Sequence, residues 1–387
     1  MSFWQSLARP VIGMAPMDGV TDATFRHTVA LQGKPDVSFT EFTHVHDVCR
    51  GPEFLLDSLI YHEAERPIVA QLYGKDPDLF YQAAHAVCEL GFDGLDINMG
   101  CPSRSVASSG SGAGLIRTPD VAQAIMRATR QGIADWAAGQ TLEGANLKPG
   151  RVAAIHRMNE QRLDARLPIR RTIPLSVKTR LGYDVVVVEG WIEQLLKEQP
   201  TVISLHGRTL QQMYRGEADW TAIARAVEIV QGSGTLLFGN GDIHSYRDVV
   251  RRVRDTGVDG VLVGRAALGA PWFFQQKDGA RLALQQGAEE VSEPLMPSLE
   301  ARFDMLLDHA RRFEAACGQG QFRRMRKHLG WYCKGFPHAA SLRANMFRVS
   351  SVADLEQVLD DFHAHCASLA DVPDQVPPSD SEPTPAF

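Results

Sequence analysis

Long apolar runs are missing from this chain. No stretch approaches the roughly 20 residues that a bilayer-spanning helix needs, so no membrane-embedded protein is expected. The start, Met1-Ser2-Phe3-Trp4-Gln5-Ser6-Leu7-Ala8-Arg9-Pro10, lacks the basic opening and apolar core of a signal peptide. Cysteine is scarce: six in 387 residues, at 49, 88, 101, 317, 333 and 366. They form no CxxC and no zinc spacing. That excludes a disulfide scaffold and a zinc finger, and the expectation is a cytoplasmic, reduced protein without a metal. Positive charge is absent from one region. Ser351–Phe387 holds eight acidic residues and no Lys or Arg, whereas Pro297–Ser350 holds ten Lys/Arg against four Asp/Glu. A basic segment on a chain of net charge −6 points to a local polyanion contact, not to a protein that coats nucleic acid.

What is present is a repeated alternation of short apolar strands and amphipathic helices. Strands are expected at Val11–Ala15, Val37–Glu41, Ile68–Tyr73, Gly94–Asn98, Leu175–Arg180, Val202–His206, Leu236–Gly239 and Gly260–Val263. Helical patterns fall at Pro77–Leu90, Pro119–Gln131, Val188–Gln199, Trp220–Val230 and Tyr246–Thr256. Eight such units, with strands buried on both faces, imply an α/β (β/α)8 TIM barrel followed by a small all-helical C-terminal domain. The barrel is expected over 1–296. An accessory insertion of about 132–173 breaks its rhythm, with a helix near Val152–Arg162. That insertion joins a helix to the next strand, which places it at the N-terminal face. The helical domain is expected over 297–370, from the patterns Leu299–Ala316, Gln321–Lys334, Ala339–Asn345 and Val352–Ala370. The acidic, Pro-rich tail 371–387 is expected to be disordered.

Several strands end in polar residues that a barrel would gather at its C-terminal mouth. Gly94-Leu95-Asp96-Ile97-Asn98-Met99-Gly100-Cys101-Pro102 reads as a strand stopped by a glycine and a proline. It sets Asn98 and Cys101 at the mouth. The thiol there is an acid, a nucleophile or a small inert buried group. Other strands run into Pro16-Met17, Gln71, Lys178 with Arg180, and His206 with Arg208. Charged groups are almost never buried unpaired, so packing does not explain this set. The turns Asn240-Gly241-Asp242 and Gly264-Arg265 open helices and suit a phosphate. Gly110-Ser111-Gly112-Ala113-Gly114 lacks the strand and acidic partner of a dinucleotide fingerprint. It reads as a flexible active-site loop or a plain surface loop.

These segments resemble the tRNA-dihydrouridine synthases, flavin enzymes that reduce uridine in tRNA. The matching stretches are MAPMDGVTD, AQLYG, DINMGCPS, SVKTRLG, LHGRT, GNGDI and VGRAALG. The resemblance implies FMN at the mouth, with Pro16 and Met17 lining its ring and Gln71, Lys178 and His206 bonded to it. It implies Asn240, Gly241, Asp242, Gly264 and Arg265 around the phosphate. Asn98, Arg180 and Arg208 would hold the uracil, and Cys101 would be the general acid. NADPH (or NADH) would reduce the flavin, tRNA would bind the basic helical domain, and the protein would act as a monomer. The run Arg323-Arg324-Met325-Arg326-Lys327-His328, with Lys334, Arg343 and Arg348 after it, suits that tRNA contact. Many family members carry a lysine shortly after the cysteine; here Arg104 and Ser105 stand there. Thr40-Glu41-Phe42 and the residues after Cys101 look most like the bacterial C branch, which modifies position 16. Two other classes stay open: an FMN barrel oxidoreductase acting on a small pyrimidine or enoate, and a non-catalytic tRNA-binding factor.

Overall fold

Strands rich in Val, Ile and Leu must be covered on both faces, and a parallel sheet wrapped in helices does this. The computed structural model describes residues 2–162 and 169–370. Its strands are β1 (Val11–Met14), β2 (Ser38–Phe39), β3 (Thr43–His44), β4 (Ile68–Tyr73), β5 (Gly94–Met99), β6 (Leu175–Arg180), β7 (Val202–His206), β8 (Leu236–Asn240) and β9 (Gly260–Val263). They pair in parallel in the order β1-β9-β8-β7-β6-β5-β4-β2, and β3 also lies beside β4. The Met14 N–H donates to the Val37 carbonyl at 3.1 Å, and the Asp36 N–H to the Ile12 carbonyl at 3.0 Å. Those bonds join the two ends, giving eight staves in a near-closed barrel, with β2 and β3 as two pieces of one stave.

The helices of this unit are α1 (Ala23–Gln32), α2 (Val45–Arg50), α3 (Pro77–Glu89), α4 (Arg104–Ser108), α5 (Pro119–Ala137), α6 (Pro149–Gln161), α7 (Val188–Leu196), α8 (Trp220–Val230), α9 (Tyr246–Thr256) and α10 (Lys277–Gln285). Side-chain caps start several of them just past a strand end. Asp76 accepts the Asp78 N–H at 3.0 Å, Asp219 the Ala222 N–H at 2.8 Å, and Ser245 the Asp248 N–H at 3.1 Å. Each cap is worth about 1 kcal/mol and fixes where the mouth loop ends.

The barrel interior follows the period of two. Val11, Phe39, Val69, Val202, Phe238 and Leu262 pack with Trp4 into an apolar floor. One step further along the same face come Gln71, Asp96 and Ser176, aligned across β4, β5 and β6, and one step above them Asn98, Lys178 and Ser204, aligned across β5, β6 and β7. The polar layer therefore rests on a dry one.

Several expected segments of this unit differ. The strand expected at Val37–Glu41 stops at Phe39, because the Thr40 hydroxyl takes the Gln71 N–H at 2.9 Å and breaks the backbone ladder. Helix α5 runs past Gln131 to Ala137, because Ile133 and Trp136 continue its buried face. Helix α7 ends at Leu196, short of Gln199, whose φ of 44° is left-handed. The Gly110–Gly114 segment is no loose loop: Gly112–Arg117 is a 3-10 turn with Gly112 to Ile116 buried.

Within the stretch expected as an insertion, α6 lies against the C-terminal end of α3. Asn159 donates to the Glu89 carbonyl at 2.8 Å and Arg162 to the Leu90 carbonyl at 2.7 Å. Residues 163–168 and the tail 371–387 lie outside the described residues.

A second compact unit begins at Pro297. It comprises α11 (Leu299–Cys317), α12 (Arg326–Tyr332), α13 (Ala339–Met346) and α14 (Val352–Ala370). Its core holds Phe303, Leu306, Phe313, Leu329, Leu342 and Leu355. The helix expected over Gln321–Lys334 is instead a 3-10 turn, Gln319–Met325, leading into α12. Arg323 and Arg324 are exposed there. Arg326 is spent on the Val349 carbonyl at 2.7 Å, and Arg343 on the Cys333 carbonyl at 2.6 Å.

Candidate active site

Strand β5 ends in a tight polar turn. The Asn98 side-chain oxygen accepts the Gly100 N–H at 3.0 Å and the Cys101 N–H at 2.8 Å. Its amide nitrogen donates to Gln71 Oε1 at 3.0 Å, and Gln71 Nε2 donates to Asp96 Oδ2 at 2.7 Å. Ser176 Oγ donates to Asp96 Oδ1 at 2.6 Å. Every side chain in this chain of bonds is buried. Removal from water pushes the Asp96 carboxyl up to about 6, against the pull of the Ser176 and Gln71 bonds and the Lys178 charge.

Cys101 is itself buried. Burial raises its thiol above the usual range, and the Ser103 N–H, Arg180 and Lys178 only partly offset this. The thiol is therefore protonated at neutral pH. Gly112 packs on it: φ is +56°, and an added Cβ would meet Cys101 Cβ at 3.1 Å and Val106 Cγ1 at 3.0 Å. No other residue fits there without strain. Arg180 holds the same turn from β6. Its Nε donates to the Gly100 carbonyl at 2.7 Å, and its Nη1 to the Thr209 and Met213 carbonyls at 3.0 and 3.3 Å. Burial brings its guanidinium down to about 10.

Lys178 sits beside Asn98 in the ladder. Desolvation, then the neighbouring Arg180 charge, lower its ammonium to about 8. His206 ends β7 next to Asn240. Burial first, then Arg180 and Lys178, hold it well below the usual histidine range, so it is neutral. Its Nδ1 and the Ser204 hydroxyl are buried without a hydrogen-bond partner among the described residues.

The turns after β8 and β9 form the other side. Asp242 accepts from Arg208 at 2.6 Å, from the Ala218 N–H at 2.7 Å and from Arg265 at 3.0 Å. Burial would raise its carboxyl, but these donors outweigh that and keep it below the usual range. Arg208 also donates to the Gly216 carbonyl at 2.5 Å. Its guanidinium thus shares the Asp242 carboxylate with Arg265. Gly241 has φ +121°, and an added Cβ would come within 2.8 Å of Ala218 Cβ and 3.6 Å of His206 Nε2. Asn240 is anchored to the Leu262 carbonyl at 2.7 Å. Pro16 and Met17 are half-buried at the end of β1. An added Cβ on Gly264 would lie 3.4 Å from Met17 Sδ.

Asp96 and Ser176 were not expected at the site. The period of two within Gly94–Asn98 could have found Asp96, since it shares a face with Asn98. His44, His46 and Asp47 also gather near this end, with possible ligand atoms within 4.8 Å of one another. His44 Nδ1 is already taken by the His46 N–H at 3.1 Å. The first turn of a helix also disfavours a cation.

The barrel, its protonated thiol and its basic mouth define an enzyme whose chemistry sits at the C-terminal ends of the strands. The family model described as Dihydrouridine synthase (Dus) matches residues 13–135 and 160–367. A Probable tRNA-dihydrouridine synthase 2 of Bacillus subtilis (strain 168) is 32% identical over 366 residues, covering 93% of this chain and 96% of that protein. A Probable tRNA-dihydrouridine synthase of Staphylococcus aureus (strain COL) is 30% identical over 369 residues, covering 94% and 96%. The chain belongs to the dihydrouridine synthase family of flavin-dependent oxidoreductases. The matched stretches pass over 136–159, which contains α6 except its last two residues. No helix among the described residues is long and apolar enough to cross a membrane.

Proposed function

We propose that this protein reduces the C5=C6 bond of a D-loop uridine in tRNA, at position 16, with NADPH (or NADH) as the source of electrons. The observation that carries this reading is the Asn98–Cys101 turn: a buried, protonated thiol held by an amide at the mouth of a basic barrel.

The residues fit FMN. The unpartnered His206 Nδ1 and Ser204 hydroxyl need a polar ligand. At Gly241 the lack of a side chain lets the turn pack against Ala218, beside His206 and Arg208. Gln71, Lys178 and His206 would hold the ring, with Pro16 and Met17 along it. Asn240, Gly241, Gly264 and Arg265 would hold the phosphate. A carboxylate repels phosphate, so Asp242 serves by aiming Arg208 and Arg265 at it.

FMN, when bound, would supply the hydride for uracil C6. The target base leaves its stack to enter the mouth. Asn98 and Arg180 hold its polar edge. As hydride arrives, charge develops on C5 and O4, and Lys178 and Arg180 stabilise it. Cys101 gives its thiol proton to C5, which completes the reduction. The exposed Arg323 and Arg324 of the helical unit bind tRNA phosphates. The protein works as a cytoplasmic monomer in this reading.

Incubation of tRNA with the FMN-loaded protein and NADPH tests it. One D-loop uridine should gain two hydrogens by mass spectrometry. Unmodified tRNA, with a protein that binds FMN and is reduced by NADPH, would reject the reading in favour of a small-molecule reductase.

A further inference from the structure

Two fixed ends determine the polarity of the buried hydrogen-bond chain Ser176–Asp96–Gln71–Asn98. At one end the Gly100 and Cys101 N–H groups can only donate, so Asn98 must turn its oxygen to them. Its NH2 then faces Gln71, and the Gln71 oxygen must accept. The Gln71 NH2 is left facing Asp96 and needs an acceptor there. A carboxylate raised only to about 6 is ionised at neutral pH and offers nothing but acceptors. Both ends agree, and all members are enclosed, so a reversed amide anywhere would leave buried groups unpaired.

We propose that Asp96 is a positioning residue that locks Asn98 as a donor toward the substrate and the Cys101 turn as its rigid neighbour. This rests on the function proposed above. The Asn98 oxygen is used up by the turn, so only an N–H remains to meet a ligand. The atom beside C5, where the Cys101 proton goes, is the C4 carbonyl. Asn98 therefore donates to O4, where charge builds during reduction. Uracil presents an acceptor at that place and cytosine an amino donor, so the locked amide also favours uracil.

The test uses D96N, D96L and the double variant D96N/S176A in the FMN-loaded protein. In D96N the new amide can turn its oxygen to Gln71 and its NH2 to the Ser176 hydroxyl, which preserves the polarity. D96N should keep kcat within about threefold of the parent. D96L removes the acceptor and should lose about tenfold or more in kcat, with KM for tRNA within about twofold. D96N/S176A takes away the partner that orients the Asn amide and should fall to the D96L level. Hydrogen exchange of the Gly100 and Cys101 amides is the readout that does not depend on turnover. It should quicken about tenfold in D96L and stay at the parent rate in D96N. Parental exchange and kcat in D96L would overturn the proposal, as would D96N impaired as deeply as D96L. An inactive parent protein would reject the function instead, while the exchange measurement would still judge the relay.

Discussion

The Asn98 side-chain oxygen accepts the Cys101 backbone N–H at 2.8 Å, three residues along the same turn. The bond sets the thiol by fixing its backbone, not by touching sulfur. N98A removes the acceptor for two buried N–H groups and frees the turn. It should lower kcat at least a hundredfold and cost about 1–3 kcal/mol of stability. Steady-state kinetics and urea unfolding check both.

Gly112 should tolerate no side chain. G112A forces a left-handed alanine against Cys101 Cβ. A loss of about 1–2 kcal/mol and a reduced kcat are expected, because the 3-10 turn that backs the thiol must move. Thermal unfolding of G112A against the parent measures it.

Lys178 should make the FMN-free protein's stability depend on pH. Its folded value is near 8, and a free lysine titrates near 10.4. Between those values the native state holds fewer protons here than the unfolded chain, so stability rises with pH. Below about pH 8 the full desolvation cost of the ammonium is present. K178M should therefore be more stable than the parent at pH 7, by on the order of 1–2 kcal/mol, discounted because the site is half-buried. The gap should close by about pH 10. A gap that stays constant with pH would contradict the lowered value.

Asp242 gathers two guanidiniums at the turn assigned to phosphate. D242N leaves the buried Arg208 short of its charge partner. FMN affinity should weaken about tenfold or more, measured by flavin fluorescence on reconstitution.

Arg323 and Arg324 are exposed, whereas Arg326 and Arg343 are tied to carbonyls. R323Q/R324Q should weaken tRNA binding and lower the slope of log affinity against log salt by about one to two. Flavin reduction by NADPH should not change. R326Q should instead lower the stability of the helical unit.

Much of the barrel was legible because buried parallel strands have a strong local signature. Leu175–Arg180, Val202–His206 and Gly260–Val263 match their expected bounds residue for residue. The second stave was not legible: whether Thr40 continues the ladder depends on its hydroxyl meeting the Gln71 N–H, a contact 31 residues away. The glycines at 110–114 look flexible in sequence, yet small size is what lets them pack against Cys101 and Ala107. At the site, the strand-end rule brought Asn98, Cys101, Lys178 and Arg180 together. It left out Asp96 and Ser176 because they lie a layer below the mouth, where position alone does not reveal a polar role. The Arg208–Asp242 ion pair was not legible, because only the fold brings together two residues 34 positions apart.

In the proposed reaction Cys101 gives the proton to C5. The most direct measurement is single-turnover oxidation of NADPH-reduced enzyme by tRNA, comparing the parent with C101A. NADPH should reduce both proteins at similar rates, while tRNA should reoxidise the C101A flavin about 10²–10⁴-fold more slowly. Reoxidation of C101A at the parent rate, on tRNA that gains two hydrogens, would contradict it.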